Sequence, residues 1–152
     1  RFCLSSALPS GKPSAEPRGL GFTRRKAVTA ALRKPIPDPE LVLTKATINA
    51  AAMLDLTSAE LAKTIGVSDA TVSRYKNAQA SIAPASKPGE LALLLIRVFR
   101  SLDPLVGSDG ELRKAWMHSP NQALNGVPAK LILKPEGLAS TLAYLDGMRA
   151  AA

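Results

Sequence analysis

The stretch LTSAELAKTIGVSDATVSRYKNA, residues 56–78, constrains the fold more than any other part of the chain. Thr57 and Glu60 stand in capping-box spacing, so each side chain can satisfy a free backbone N–H in the first turn of a helix. Gly66 interrupts the apolar pattern at the expected helix end, where glycine readily adopts a positive φ. Ser68 can then cap a second short helix. Two short helices joined by a tight turn predict a helix-turn-helix unit.

The second of these helices carries the residues that we expect to contact DNA. A helix fits the major groove of B-DNA, and residues near the N-terminus of the second helix read base edges. The candidates are its short polar and basic residues, namely Ser68, Asp69, Thr71, Arg74, Lys76 and Asn77. Arg74 is the main candidate, for a phosphate or a guanine, whereas Asp69 would stabilise the helix dipole whatever the helix binds. The alternative is a helical hairpin in an ordinary α-domain, with Gly66 as a simple C-cap.

Composition favours helices along the whole chain. Hydrophobic residues make up 46% of the sequence but aromatic residues only 4%, so the core must come mainly from Leu, Ala, Ile and Val. Because Ala and Leu have high helix propensity, we expect an all-α protein. The net charge is +8, and its excess is concentrated in the N-terminal third. A basic chain suits nucleic acid or an anionic surface, without implying sequence specificity.

The pattern along the chain predicts three regions. Residues 1–40 are basic and rich in Pro and Ser, which predicts a mostly disordered extension whose last part, residues 34–40, is an extended linker. Residues 41–90 form the helix-turn-helix domain for DNA binding. The third region, residues 91–152, is predicted to be a small helical domain for protein contacts.

Several function classes are not supported by the sequence. One cysteine and one histidine cannot build a zinc site, and no apolar run is long enough to cross a membrane. No catalytic triad, local carboxylate pair or Gly-rich phosphate loop stands out. We therefore expect a cytoplasmic protein that is not an enzyme and has no metal or other cofactor.

An apolar stripe from Leu91 to Leu102 predicts a long helix with more apolar surface than one packing face requires. Such a helix either lies at the centre of a monomer or is shared with another subunit. The second interpretation gives the candidate oligomerisation residues Leu91, Leu94, Leu95 and Val98. A homodimer would present two recognition helices to a pseudo-palindromic operator. Asp103-Pro104 is expected to end the helix.

The C-terminal third of the chain resembles the toxin-binding domain of the Xre/MbcA/ParS antitoxins. The likeness rests on AWMHSPNQALNGVPAKLILKPEGLASTLAYLDGMR, residues 115–149. In this stretch Trp116 closes one helix, Gly126 and Pro128 follow, and Gly137 precedes the last helix. The helix-turn-helix is similar to the Xre type. The order and spacing of the two halves together make the resemblance fairly specific.

The resemblance covers about residues 44–149 and implies an antitoxin of a type II toxin–antitoxin system. Members of that family are encoded beside a RES-domain toxin that degrades NAD, and their C-terminal domain covers the NAD pocket of the toxin. Their helix-turn-helix binds the promoter of the operon, so the toxin–antitoxin complex represses its own synthesis. Toxin contacts are then expected on the last helix, at Tyr144, Asp146 and Arg149. Arg149 is equally well explained as a surface arginine near a frayed helix end.

Two other functions fit the same sequence. The chain could be a stand-alone dimeric helix-turn-helix repressor whose C-terminal domain only dimerises. It could also be an adaptor that binds a protein partner and keeps a degenerate helix-turn-helix for structure. An adjacent gene for a RES-type protein would favour the antitoxin, whereas a failure to bind its own promoter would favour the adaptor.

Overall fold

The computed structural model describes residues 37–107 and 109–151. Seven helices lie within these residues: α1 Pro39–Met53, α2 Ser58–Ile65, α3 Asp69–Lys76, α4 Lys87–Val106, α5 Gly110–His118, α6 Pro128–Leu131 and α7 Pro135–Ala151. The only strand-like pairing in the described part is one antiparallel bridge between Asn121 and Gly126. The all-α prediction is confirmed. The predicted disordered extension falls almost entirely on residues 1–36, outside the described residues.

The helix-turn-helix forms with the caps that its sequence predicts. The Thr57 hydroxyl accepts a hydrogen bond from the Glu60 backbone N–H at 3.2 Å, and the Glu60 carboxylate accepts one from the Thr57 N–H at 2.8 Å. Gly66 ends α2 in the left-handed conformation, with φ 71° and ψ 39°. The Ser68 hydroxyl then caps α3 by accepting from the Thr71 N–H. Local capping chemistry therefore sets both helix starts and the turn between them.

Two expectations about proline were wrong. The end of the expected linker is already helical, because Asp38 caps α1 and Pro39 occupies its first turn, where no backbone N–H is needed. At the other end, α4 does not stop at Asp103-Pro104 but continues to Val106 with Pro104 inside it. A proline in that position removes one helical hydrogen bond, so other contacts must hold the last turn.

One such contact is an ion pair between α4 and α5. The Arg113 side chain on α5 is only 5% exposed and donates to the Asp103 carboxylate in the last turns of α4. Its guanidinium also lies 5.3 Å from the centre of the Phe99 ring, a cation–π distance. The pair holds the end of α4 against α5, immediately beside Pro104.

Helix α4 lies at the centre of the described chain. It packs against α1 and α2 on the helix-turn-helix side and against α5 and α7 on the C-terminal side. Leu95 and Val98, two of the predicted oligomerisation residues, are both 0% exposed within a single chain and therefore pack in its core. Leu91 and Leu94 are half-buried against the same core, and their role in self-association stays a prediction.

Helices α6 and α7 meet at a point where only glycine fits. A Cβ atom on Gly137 would lie 2.1 Å from the backbone oxygen of Leu131, far inside van der Waals contact. Pro128 begins α6, and the bridge between Asn121 and Gly126 closes the turn before it. None of the described helices combines the length and the apolar character that a membrane span requires.

Candidate nucleic-acid interface and C-terminal pocket

Helix α3 is accessible to solvent along most of its length. The predicted DNA-contacting residues that are exposed are Ser68, Asp69, Arg74, Lys76 and Asn77, and Thr71 is half-buried. The other side of the helix holds α3 in place, since Val72 is fully buried and Tyr75 packs against the core. The structure therefore presents an exposed polar helix on a fixed support, as major-groove binding requires. Whether these residues contact DNA stays a prediction.

Three of the six candidates already make contacts within the chain. The Ser68 hydroxyl caps α3 and also lies 2.9 Å from the Thr71 hydroxyl, so both side chains are already engaged. Lys76 Nζ donates to the Ser58 hydroxyl at 2.6 Å, which joins the end of α3 to the start of α2. Ser58 was missed by sequence reasoning, because a contact across the turn leaves no local pattern. Lys76 therefore places a positive charge beside the first turn of α2.

Unlike these residues, Arg74 has a side chain that is available to bind a partner outside the chain. Its side chain is exposed, and no carboxylate of the described chain lies within ion-pair distance of it. An exposed guanidinium without such a partner can pair with a phosphate or with the O6 and N7 atoms of guanine. Of the six candidates, Arg74 has the geometry best suited to a direct contact.

The capping box keeps a negative charge near the start of α2. Hydrogen bonds from the Thr57 hydroxyl, and then from the Thr57 backbone N–H, hold the pKa of the Glu60 carboxyl below its ordinary value. The carboxylate therefore stays ionised at neutral pH and remains an acceptor for the first turn. This negative charge supports the start of α2.

The three residues predicted to contact a toxin occupy different environments on α7. Tyr144 is half-buried and packs against the core, whereas Arg149 is exposed. Asp146 accepts a hydrogen bond from the Ser101 hydroxyl at 2.7 Å and pairs with Arg97 at 3.2 Å. Asp146 therefore contacts α4, and Tyr144 takes no part in these polar contacts.

Asp146 and Arg149 belong to an open pocket between α4 and α7. Its volume is about 380 Å³, and its lining residues are Arg97, Arg100, Ser101, Asp146 and Arg149. Arg149 Nη1 reaches the Ser101 hydroxyl at 3.4 Å. The three α4 residues were missed by sequence reasoning, because they lie more than forty positions from Asp146 and Arg149. Only the packing of the two helices brings them together.

Two protein-family models match segments of the chain that together contain most of the described helices. Residues 37–97 match the antitoxin Xre-like helix-turn-helix domain. Residues 101–150 match the antitoxin Xre/MbcA/ParS C-terminal toxin-binding domain. Together the two matches span well over half of the 152 residues, in the order that the sequence predicts. The chain belongs to the Xre/MbcA/ParS-type antitoxins.

The resemblance drawn from residues 115–149 is therefore confirmed. The comparison with curated proteins found no match to the antitoxin. The first matched segment contains α3 with Arg74, and the second contains α7. The two segments meet within α4, where Arg97 is the last residue of the first match and Arg100 lies between the two. The pocket on this antitoxin therefore draws its side chains from both sides of the junction.

Proposed function

We propose that this antitoxin neutralises a RES-domain toxin that degrades NAD, by covering the active site of that toxin. The observation that carries the proposal is the toxin-binding domain match at residues 101–150, in the same compact unit as the helix-turn-helix. This match favours the antitoxin over a stand-alone repressor or an adaptor. The RES identity comes from the resemblance of residues 115–149. In this proposal the protein works in the bacterial cytoplasm as a binding partner, without catalysis or a cofactor.

Helix α7 is the proposed toxin-contacting element. Arg149 is exposed near its end and can reach an anionic group in the toxin pocket by charge-assisted hydrogen bonding. Asp146 is half-buried and already paired with Ser101 and Arg97, so its contribution is to fix the surface around Arg149. Tyr144 adds a partly exposed aromatic edge on the same helix.

The test is co-expression with the RES-type protein encoded by the neighbouring gene. We expect the toxin alone to stop growth and deplete cellular NAD, and the antitoxin to restore both. Arg149→Glu is expected to weaken the rescue, because it places a negative charge against the anionic group of the toxin. Lys45→Glu, which makes the same charge change on α1, is the control. Continued killing with both proteins soluble and intact would contradict neutralisation.

We also propose that the helix-turn-helix represses the antitoxin's own operon. Exposed α3 and the free guanidinium of Arg74 support this proposal. A homodimer would present two copies of α3 to a pseudo-palindromic operator. Its interface must exclude Leu95 and Val98, because both are buried in the monomer core. Sedimentation or light scattering of the purified antitoxin measures whether it self-associates.

Arg74→Ala is expected to weaken binding to the promoter fragment. If Arg74 meets a phosphate, the slope of log affinity against log salt concentration falls by about one unit, since one fewer counterion is released. If it meets a guanine instead, specificity relaxes at one base pair while the slope changes less. Lys134→Ala removes one positive charge at the α6–α7 turn and serves as the control. Unchanged affinity and slope in Arg74→Ala would remove this residue from the interface.

A further inference from the structure

The pocket between α4 and α7 lies on two helices that pack closely against each other. The two helices share the most extensive helix–helix contact in the described chain. Next to the lining residues in sequence, Val98, Leu102 and Leu145 are fully buried, and Ser101 in the lining is 3% exposed. The pocket side chains therefore project from backbones whose positions are set by core packing. A preorganised site loses less free energy on binding than one that must first be ordered.

The charges that line this pocket do not balance. Three arginines, Arg97, Arg100 and Arg149, face one carboxylate, that of Asp146. Asp146 pairs with Arg97 at 3.2 Å, and within the described chain neither Arg100 nor Arg149 has a carboxylate in ion-pair range. The side chains that line the pocket therefore carry a net charge of +2, from three arginines and one carboxylate. A cleft lined by charge of one sign concentrates counterions of the other sign.

We propose that this α4–α7 arginine pocket binds the phosphate or diphosphate group of a small phosphorylated molecule. A phosphate monoester carries nearly two negative charges at neutral pH, which matches the excess of two positive charges. The planar guanidinium of arginine donates paired N–H groups to two oxygens of one phosphate. A single carboxylate ligand would leave one of the two charges unmatched.

The size of the pocket agrees with a ligand of this kind. Its volume of about 380 Å³ exceeds that of a single phosphate and lies at the lower end of typical small-molecule pockets. Its lining is polar and its mouth is open, so the rest of the molecule can extend into solvent. The inference goes beyond the proposed function and does not depend on it, because it requires neither the toxin nor DNA.

Asp146 has a positioning role in this site. Its carboxylate accepts from Ser101 at 2.7 Å and from Arg97 at 3.2 Å, which aligns both groups on α4. The same negative charge opposes an incoming phosphate. Asp146→Asn keeps an oxygen acceptor for Ser101 and removes the repulsion. We therefore expect this variant to bind the anion more tightly than the wild type.

The experiment measures binding of inorganic pyrophosphate to the full-length antitoxin at low ionic strength, where screening is weak. Calorimetry gives the affinity, and the arginine side-chain N–H resonances locate the site. Arg100→Gln and Arg149→Gln are each expected to weaken binding about tenfold, since each removes a charge-assisted contact. Asp146→Asn is expected to tighten it. Lys45→Gln, with the same charge loss on exposed α1, is expected to bind like the wild type.

Three results would overturn the proposal. The first is equal pyrophosphate affinity for the wild type and a folded Arg100→Gln/Arg149→Gln double variant. The second is weakening by Lys45→Gln as large as that by Arg100→Gln, which would indicate attraction by net charge alone. The third is equal binding of acetate and pyrophosphate at matched ionic strength. Growth rescue by the antitoxin is scored separately, so failure of this site and failure of toxin neutralisation are distinguishable.

Discussion

Leu95→Asp is expected to unfold the antitoxin rather than to separate a dimer. Leu95 is 0% exposed at the centre of α4, in contact with the core of the described chain. An aspartate there must either remain charged in an apolar environment or take up a proton, and either costs several kcal/mol. That cost is comparable with the total stability of a small domain, about 5–15 kcal/mol. Far-UV circular dichroism should show loss of most helical signal where the wild type is folded.

Leu93→Asp is the matched control for this substitution. Leu93 lies two residues earlier on the same helix, but 45% of it is exposed. A carboxylate at position 93 stays in water, so the melting temperature should change only slightly. If Leu95→Asp instead melts cooperatively near the wild-type temperature, Leu95 is not in the monomer core. If only Leu93→Asp changes the molecular mass in light scattering, the exposed side of α4 is part of a self-association surface.

Gly137→Ala is expected to destabilise the antitoxin by about 3 kcal/mol, an effect typical of overpacking. The new Cβ would lie 2.1 Å from the Leu131 backbone oxygen and 2.7 Å from its carbonyl carbon. Because these are backbone atoms, α6 and α7 must move apart to relieve the clash. For a unit of this size the melting temperature should fall by roughly 10 °C. Differential scanning calorimetry measures both the temperature and the enthalpy.

Gly147→Ala provides a control of identical chemistry on the same helix. Apart from its chain neighbours and the backbone of its own helix, no atom lies within 4 Å of the position that its Cβ would take. Inside a helix, alanine is more favourable than glycine by up to about 1 kcal/mol. The two substitutions should therefore shift the melting temperature in opposite directions. A shift of the same sign and size in both variants would contradict the close approach of α6 to α7.

The helix-turn-helix could be predicted from sequence because its determinants are local. The capping box of Thr57 and Glu60, the left-handed Gly66 and the Ser68 cap each act within four residues. Such signals lie within a short window and do not depend on the rest of the fold. The C-terminal half was found instead through its resemblance to a family. Its decisive steric feature, the fit of Gly137 against Leu131, involves two residues six positions apart with no recognisable periodicity.

The remaining features depend on tertiary packing. Periodicity showed that α4 is unusually apolar but left open whether a monomer core or a second subunit covers it. The answer comes from α1, α2, α5 and α7, which all pack against it. The arginine pocket could not be predicted for the same reason, since its two walls come from helices far apart in sequence. The continuation of α4 through Pro104 could not be predicted either, because the ion pair of buried Arg113 with Asp103 beside it joins two different helices.

The central position of α4 has a consequence for how long each half of the antitoxin survives in a cell. The helix-turn-helix half packs against α4 through α1 and α2, and the C-terminal half packs against it through α7. Local unfolding of either half would therefore expose apolar side chains of α4 to water. Neither half can then unfold locally at a low cost in free energy while the other stays folded. Proteases cleave the unfolded states, so both halves are exposed to them together. The helix-turn-helix and the toxin-binding domain would therefore be degraded together, with a single half-life.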